Sequence, residues 1–126
     1  MTNLVIDNSA AVKYARGRAT LDDGDTQYYA PQLIDLEFAN TLRKLVLRNE
    51  LGEEQARAYL LEWAANSLTR CAHTMLLPRI WQHRDNITAY DAAYVALAEV
   101  LEIPLATADR RLAKAATAFC EVIVVG

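Results

Sequence analysis

Four acidic residues stand where carboxylates could act together in catalysis or in metal binding: Asp7, Glu37, Asp91 and Asp109. If the fold brings them together, their mutual repulsion must raise some of their pKa values or be relieved by a cation. Hard divalent ions such as Mg²⁺ and Mn²⁺ meet this requirement, because they prefer carboxylate oxygens and retain water molecules for chemistry. The four acids therefore predict a metal centre, provided that the elements carrying them converge.

The positions of Asp7 and Asp109 favour such convergence. Asp7 directly follows the apolar run "NLVI", and Asp109 directly follows "PLATA". Both runs are typical of short buried strands. Ligands of open α/β sheets bind at the carboxyl ends of the strands. If the two strands are parallel, both acids lie at the same edge of the sheet.

Each acid also has a purely structural explanation. Asp7 and Asp109 could cap helices, and Glu37 belongs to a polar helix stripe that could face solvent or line a wet cleft. Asp91 completes the [ST]xx[DE] pattern of a capping box with Thr88. However, its helix, "ITAYDAAYVALAEVLEI", is apolar almost all the way round. This pattern predicts a central helix, which would hold Asp91 near the sheet.

Helical patterns connect the predicted strands. The first helix is predicted in "NSAAVKYARGR" and is followed by an acidic loop, "LDDGD". Two longer helices are predicted in "PQLIDLEFANTLRKLVLRNELG", with Pro31 at an early helical position, and in "EEQARAYLLEWAANSL". Next come a short strand in "TRCAHTM", a helical stretch through Trp81, the apolar helix, the "PLATA" strand, a helix in "DRRLAKAAT" and a final strand in "CEVIVVG". This alternation predicts an α/β fold whose sheet is covered by helices on both faces.

Composition limits the class of protein. The 126 residues predict a single domain over 1–126, and 53% hydrophobic with 23% charged residues is typical of a folded globular chain. The N-terminus lacks the basic segment of a signal peptide, and no apolar run is long enough for a membrane span, so we expect a cytoplasmic protein. The formal charge of -3 argues against holding nucleic acid by bulk electrostatics alone. A nucleic-acid partner would therefore require a bound cation or a local basic patch.

Four stretches, taken in order, resemble the motifs of PIN domains, and among these the short VapC-type ribonuclease toxins of bacterial toxin–antitoxin modules. They are "LVIDNSAAVKY", "APQLIDLEFANTLRK", "TAYDAAYVALAE" and "LATADRRLAKAA", and the resemblance that they carry extends over essentially the whole chain. Each motif is weak alone, but all four in this order and at these separations are specific. The resemblance implies a three-layer α/β/α PIN-like fold with a central, mainly parallel sheet.

The resemblance also implies a metal-dependent endoribonuclease, the toxin of a type II system. Its acidic quartet would be Asp7, Glu37, Asp91 and Asp109, which would bind one or two Mg²⁺ or Mn²⁺ ions and activate water for attack on an RNA phosphodiester. Glu37 would be either a ligand or the group that orients or deprotonates the water. Supporting roles would belong to Ser9, Asn40 and Thr107, and possible RNA-binding residues are Arg16, Arg18, Arg110 and Arg111. The segment "WQHRDNITAY" is less typical and could alter the mouth of the site.

Partners follow from the same resemblance. A toxin of this kind implies a cognate antitoxin protein that covers the active-site groove. It also implies a homodimer, for which Tyr59, Leu60 and Trp63 are candidate interface residues, with core packing as the alternative.

Several other functions are compatible with parts of the sequence. One is a PIN-fold RNA-processing nuclease outside a toxin–antitoxin module, and another is a catalytically silent PIN-like binding module. A receiver-like signalling domain would need a lysine after a late strand, whereas the only late lysine, Lys114, lies in a helical stretch. The sequence contains no GxSxG, P-loop or GxGxxG motif, which argues against the commonest hydrolase, NTPase and dinucleotide-binding classes.

Overall fold

The computed structural model describes residues 1–17 and 24–126. A five-stranded sheet lies at its centre, and every pair of neighbouring strands is parallel. The strands are β1 (Thr2–Ile6), β2 (Thr26–Pro31), β3 (Thr69–Cys71), β4 (Leu105–Thr107) and β5 (Val122–Val124). Their order across the sheet is β3-β2-β1-β4-β5. The predicted α/β class with a mainly parallel sheet is confirmed.

Helices connect the strands of this sheet. They are α1 (Asn8–Ala15), α2 (Ile34–Leu47), α3 (Glu53–Ala64), α4 (Leu77–Gln82), α5 (Ala89–Leu101) and α6 (Arg110–Ala116), with a 3₁₀ turn at Thr74–Leu76. Crossovers between parallel strands are right-handed, and the chain reverses direction across the sheet between β3 and β4. This rule places α1 to α3 on one face and α4 to α6 on the other. No helix in the described part of the chain is long and apolar enough to cross a membrane.

Strand β2 is the element that the sequence pattern did not predict. Pro31, expected early in a helix, is instead the last residue of β2 and pairs in register with Cys71 of β3. Helix α2 begins only at Ile34. Proline has no backbone N–H to donate, but none is needed from it for the bond to Cys71. The next residue, Gln32, donates its backbone N–H to the Cys71 carbonyl at 2.9 Å. Of the predicted acidic loop at 21–25, residues 21–23 lie outside the described residues.

Helix α5 occupies the central position that its composition predicted. All seven residues from Ala92 to Ala98 are at most 3% exposed, and the helix contacts β1, β2 and β4. Thr88 caps it, since its hydroxyl accepts the backbone N–H of Asp91 at 3.2 Å. Among the described residues, no reciprocal hydrogen bond joins the Asp91 carboxylate to the Thr88 N–H. The Asp91 carboxylate therefore takes no part in a capping box.

The first turn of α2 is anchored to α3 and β3 through Asp35. The Trp63 indole donates to the Asp35 carboxylate at 2.7 Å, and the Arg70 Nε donates to both of its oxygens at 3.0 and 2.8 Å. Trp63 is only 6% exposed and stacks on Phe38 at 4.4 Å. Trp63 therefore packs in the core, which was the alternative to its role as a dimer-interface residue. This network fixes the turn of α2 that also carries Glu37.

Candidate metal centre

Asp7 and Asp109 lie where the strand order reverses. Asp7 follows β1 and caps α1, and Asp109 follows β4 and caps α6. Strands β1 and β4 are parallel neighbours, with Ile6 opposite Ala106. The connections from these two strands lead to opposite sides of the sheet, which is the topological switch point where α/β sheets bind ligands. The two acids thus share one edge of the sheet, as their positions in the sequence indicated.

Glu37 and Asp91 approach the same edge from the two helical layers. Each stands in the first turn of its helix, Glu37 in α2 and Asp91 in α5. Burial raises the pKa of Glu37, and the charges of Asp91 and Asp7 raise it further. Burial likewise raises the pKa of Asp91, with a further increase from Asp109. Repulsion thus links Glu37 with Asp7 and Asp91, and Asp109 with Asp7 and Asp91. The four carboxylates are called here the acidic cluster.

Asp7 is the most buried member of the acidic cluster, at 5% exposed. Its Oδ1 accepts the Ser9 hydroxyl at 2.7 Å and the Ala10 N–H at 3.0 Å, and its Oδ2 accepts the Thr107 hydroxyl at 2.5 Å. Burial nevertheless raises the Asp7 pKa, and Asp109 contributes to the increase, while these three hydrogen bonds oppose it. The predicted supporting residues Ser9 and Thr107 therefore hold the deepest carboxylate.

Thr107 also connects Asp7 to Asp109. Its Oγ1 accepts the Asp109 backbone N–H at 3.0 Å while donating to Asp7. Thr107→Val tests this connection. Because the Thr107 side chain is completely buried, the substitution should leave the Asp109 N–H unpaired and lower the free energy of unfolding by about 1–3 kcal/mol. Urea denaturation measures this loss. Thr117→Val is the matched control, because Thr117 is exposed and its hydroxyl bonds only the Lys114 carbonyl. Equal losses in both variants would contradict a special role for Thr107.

Tyr94 is a site residue that the sequence pattern did not identify. Its hydroxyl, on α5, donates to Glu37 Oε1, on α2. Burial raises the Tyr94 pKa, and the hydrogen bond to Glu37 raises it further, so the phenol remains a protonated donor. A tyrosine within an apolar helix is usually a core residue, so the residue type alone gave no functional signal. The only sequence signal was its position three residues after Asp91, on the same helical face.

Tyr94→Phe tests this contact without opening a cavity. Removing the hydroxyl frees Glu37 Oε1, and loss of a partner that orients a metal-ligating side chain typically lowers metal affinity or activity roughly 10- to 100-fold. For the ribonuclease activity that the sequence resemblance implies, we expect the loss in kcat, with KM nearly unchanged, because Tyr94 is 2% exposed and has no surface for substrate. Steady-state kinetics on one labelled RNA distinguishes the two parameters. Unchanged kcat would exclude a positioning role.

The other predicted supporting residue, Asn40, is exposed on α2, and its side chain makes no hydrogen bond to another described residue. Thr41 stands in its place, because its hydroxyl donates to the Glu37 carbonyl at 3.0 Å and accepts Asn8 Nδ2 at 2.9 Å. This bridge ties the start of α1 to the turn of α2 that carries Glu37. Neighbouring residues of a helix point about 100° apart, so Thr41 faces α1 while Asn40 faces solvent.

The predicted RNA-binding arginines occupy different places. Arg111 lies at the rim of the acidic cluster, with Nη2 3.9 Å from Asp91 Oδ2 and 3.7 Å from Asp109 Oδ2, and its side chain is 84% exposed. Arg110 is exposed beside it at the start of α6. Arg16 follows the last residue of α1, about 13.5 Å along the helix axis from Asp7. Arg18 lies outside the described residues.

The donor atoms of the acidic cluster fit a hard divalent cation. They are all carboxylate oxygens, and the closest cationic side chain among the described residues is the exposed Arg111. In residues 1–17 and 24–126, no group of three His, Cys, Asp or Glu side chains is arranged closely enough to hold a metal ion, so a cation would have to draw these carboxylates together. Repulsion between the carboxylates adds to the burial that raises the pKa values of Asp7, Glu37 and Asp91, and a bound cation would remove that repulsion.

Comparison with known proteins agrees with this architecture. The PIN domain profile matches residues 2–118. The chain belongs to the PIN domain family. Among curated relatives of this PIN domain, ribonuclease VapC9 of Mycobacterium tuberculosis is 40% identical over 129 residues, covering 97% of this chain and 98% of the relative. Ribonuclease VapC1 of the same organism is 46% identical over 97 residues, covering 76% of this chain and 73% of the relative.

Solved structures show the same PIN fold. The crystal structure of PAE2754 from Pyrobaculum aerophilum superposes with a TM-score of 0.79 at 22% identity, covering 96% of this chain and 83% of that chain. VapBC2 from Rickettsia felis, bound to a DNA fragment from its promoter, gives 0.74 at 11% identity, covering 99% of this chain and 100% of that chain. At these identities the likeness establishes the fold.

Proposed function

We propose that this PIN domain is a metal-dependent endoribonuclease and the toxin of a type II toxin–antitoxin pair. The observation that carries the proposal is the acidic cluster at the switch point, where burial, with added repulsion between the carboxylates, raises the pKa values of Asp7, Glu37 and Asp91. The relatives VapC9 and VapC1 are named ribonucleases and cover most of the chain. Together, the donor chemistry and the relatives favour hydrolysis of RNA over the other functions considered.

Asp7, Asp91 and Asp109 would hold Mg²⁺ or Mn²⁺, and Glu37 would be a fourth ligand or act on the water. When bound, such a cation supplies a Lewis acid that lowers the pKa of water and stabilises charge on the phosphate and the leaving oxygen. The protein itself places the carboxylates. For Asp7, the hydrogen bonds from Ser9 and Thr107 fix both oxygens and oppose the rise in pKa that burial causes.

Glu37 is suited to orient a water molecule or accept its proton. Its pKa is raised by burial and by its acidic neighbours, and a catalytic base works best when its pKa approaches the working pH. The Tyr94 hydroxyl occupies Oε1, which leaves the second oxygen for the water. In-line attack by water on the phosphodiester then needs no covalent enzyme intermediate. Arg111, exposed at the rim, would contact an RNA phosphate.

The nuclease proposal is tested by incubating the purified protein with a mixed pool of transfer, ribosomal and messenger RNA. Parallel reactions contain Mg²⁺, Mn²⁺ or excess EDTA, and products are mapped by sequencing of their ends. We expect discrete cleavage with either metal and none with EDTA. Cleavage that persists in EDTA would contradict the metal mechanism, and no cleavage of any RNA in the pool would contradict the nuclease.

The toxin proposal implies further partners. An antitoxin segment would cover the acidic cluster, and an arginine of that segment would be its natural counter-ion. The exposed leucines Leu60 (40%) and Leu61 (66%) on α3 offer apolar area for a homodimer. Light scattering at several concentrations tests the dimer, for which we expect twice the 14.1 kDa chain mass. A toxin that cleaves RNA and is controlled by an antitoxin would act in the cytoplasm.

A further inference from the structure

The segment that departs from the family pattern, "WQHRDNITAY", forms one wall of a cavity beside the acidic cluster. The cavity has a volume of about 360 Å³ and extends from Arg84 along the loop to Asp91, with Arg111 and Leu112 of α6 opposite. This volume lies at the lower end of the range of small-ligand sites, about 300–1,000 Å³. Asp91 belongs to both the cavity and the acidic cluster, so a group in the cavity adjoins the metal centre.

Arg84 is held against the face of Trp81 at the cavity wall. Its guanidinium carbon lies 4.8 Å from the centre of the Trp81 ring, and its Nη1 donates to the Trp81 carbonyl at 3.0 Å. Trp81 itself is 67% exposed. An exposed tryptophan that stacks an arginine at a cavity wall has no role in the core. Both groups stack on nucleobases, and a guanidinium presented in this way can stack on a base with its free face.

The remaining lining combines groups that suit one nucleotide. Asn86 and the Thr88 hydroxyl offer donors and acceptors for a base edge, and Leu112 supplies an apolar floor. The two arginines of the cavity, Arg84 and Arg111, are balanced by Asp85 and Asp91. The near neutrality of the cavity suits a stacked base better than a second phosphate.

We infer that this cavity, called here the Arg84 pocket, binds a base of single-stranded RNA next to the phosphate at the acidic cluster. The inference rests on the proposed function for the position of that phosphate. Arg84 stacks on the base, Trp81 positions Arg84, and Arg111 contacts the connecting phosphate. Recognition by stacking tolerates different bases. The pocket therefore selects for unpaired RNA rather than for a particular base sequence.

The test measures binding apart from cleavage. Protein carrying Glu37→Gln is titrated in Mg²⁺ into fluorescein-labelled eight-nucleotide oligomers of uridine and of adenosine, and anisotropy gives Kd. Arg84→Ala should raise Kd about 5- to 100-fold for both oligomers. Arg84→Lys should remain nearly as weak, because lysine keeps the charge but loses the planar stacking surface. Trp81→Ala should weaken binding and Trp81→Phe should preserve it.

Arg57→Ala is the matched control, because Arg57 is an exposed arginine in the groove between α2 and α3. It should change Kd less than threefold. The inference is overturned if Arg84→Lys binds like the parent, if Arg84→Ala and Arg57→Ala weaken binding equally, or if the parent binds neither oligomer. It is also overturned if the Trp81 variants change only the oligomeric mass, which would indicate a protein interface.

The two proposals fail in different ways. If the oligomers bind through Arg84 but no RNA is cleaved with Mg²⁺ or Mn²⁺, the Arg84 pocket stands and the nuclease proposal falls. If RNA is cleaved but the Arg84 variants leave Kd and KM unchanged, the nuclease proposal stands and the pocket falls.

Discussion

Asp91→Asn should lower the metal-dependent cleavage rate by roughly 10²- to 10⁴-fold, because the carboxylate supplies a charged ligand to the cation that carries the Lewis-acid chemistry. The fold should remain intact. Thr88 caps α5 through the Asp91 backbone N–H, which asparagine keeps, and the buried face of α5 does not involve the carboxylate. Asparagine also removes a charge that burial and Asp109 both oppose. The metal-free variant should therefore unfold at the same temperature as wild type or higher.

Asp25→Asn is the matched control for this experiment. The substitution removes the same charge, but Asp25 lies just before β2, its side chain is 78% exposed, and it contributes to none of the pKa shifts of the acidic cluster. The cleavage rate of this variant should stay within a fewfold of wild type. If the two variants lose activity equally, the loss reflects the net charge of the protein, and the specific role of Asp91 is wrong.

Mg²⁺ or Mn²⁺ should raise the melting temperature of the wild-type protein by on the order of 10 °C at a hundredfold excess over the dissociation constant. A ligand at this excess stabilises the native state by about 2.7 kcal/mol, and each kcal/mol corresponds to a few degrees in a domain of this size. The stabilisation has a clear physical source, because the cation relieves the repulsion among Asp7, Glu37, Asp91 and Asp109. Differential scanning fluorimetry against a metal titration measures it.

Asp109→Asn should abolish most of this increase while preserving the fold. Asparagine is as good a helix N-cap as aspartate, so the bonds from the Arg111 and Leu112 N–H groups to Oδ1 can persist. Sodium chloride at matched ionic strength separates specific binding from screening. A full metal-induced shift in Asp109→Asn would place the cation somewhere other than the acidic cluster.

Local patterns predicted the elements that carry the acids. The strand before Asp7, the strand before Asp109 and the apolar helix after Thr88 each have a strong periodicity or composition, and the rule for ligand sites in parallel sheets then brought Asp7 and Asp109 to one edge. Strand β2 was missed for the opposite reason. It follows an acidic loop and ends in Pro31, so the helical pattern of α2 seemed to begin earlier than it does.

The contacts that connect elements were beyond the reach of local patterns. Tyr94 meets Glu37 across 57 positions of sequence, and Asn8 meets Thr41 across 33. Neither pair shares a helix or a strand, so periodicity holds no information about them. The same is true of Arg84, whose position over Trp81 gives a chemical meaning to a segment that the sequence marked only as unusual for the family.

The most direct test of the central claim, that the four carboxylates form one cation site, is anomalous scattering from crystals soaked in Mn²⁺. Data collected above and below the manganese edge locate the ion without reference to any assay. We predict an anomalous peak bounded by Asp7, Asp91 and Asp109, with Glu37 in contact directly or through water. Crystals that bind Mn²⁺ only elsewhere, or show no peak at millimolar Mn²⁺, would contradict the account and leave these acids as helix caps and a polar stripe.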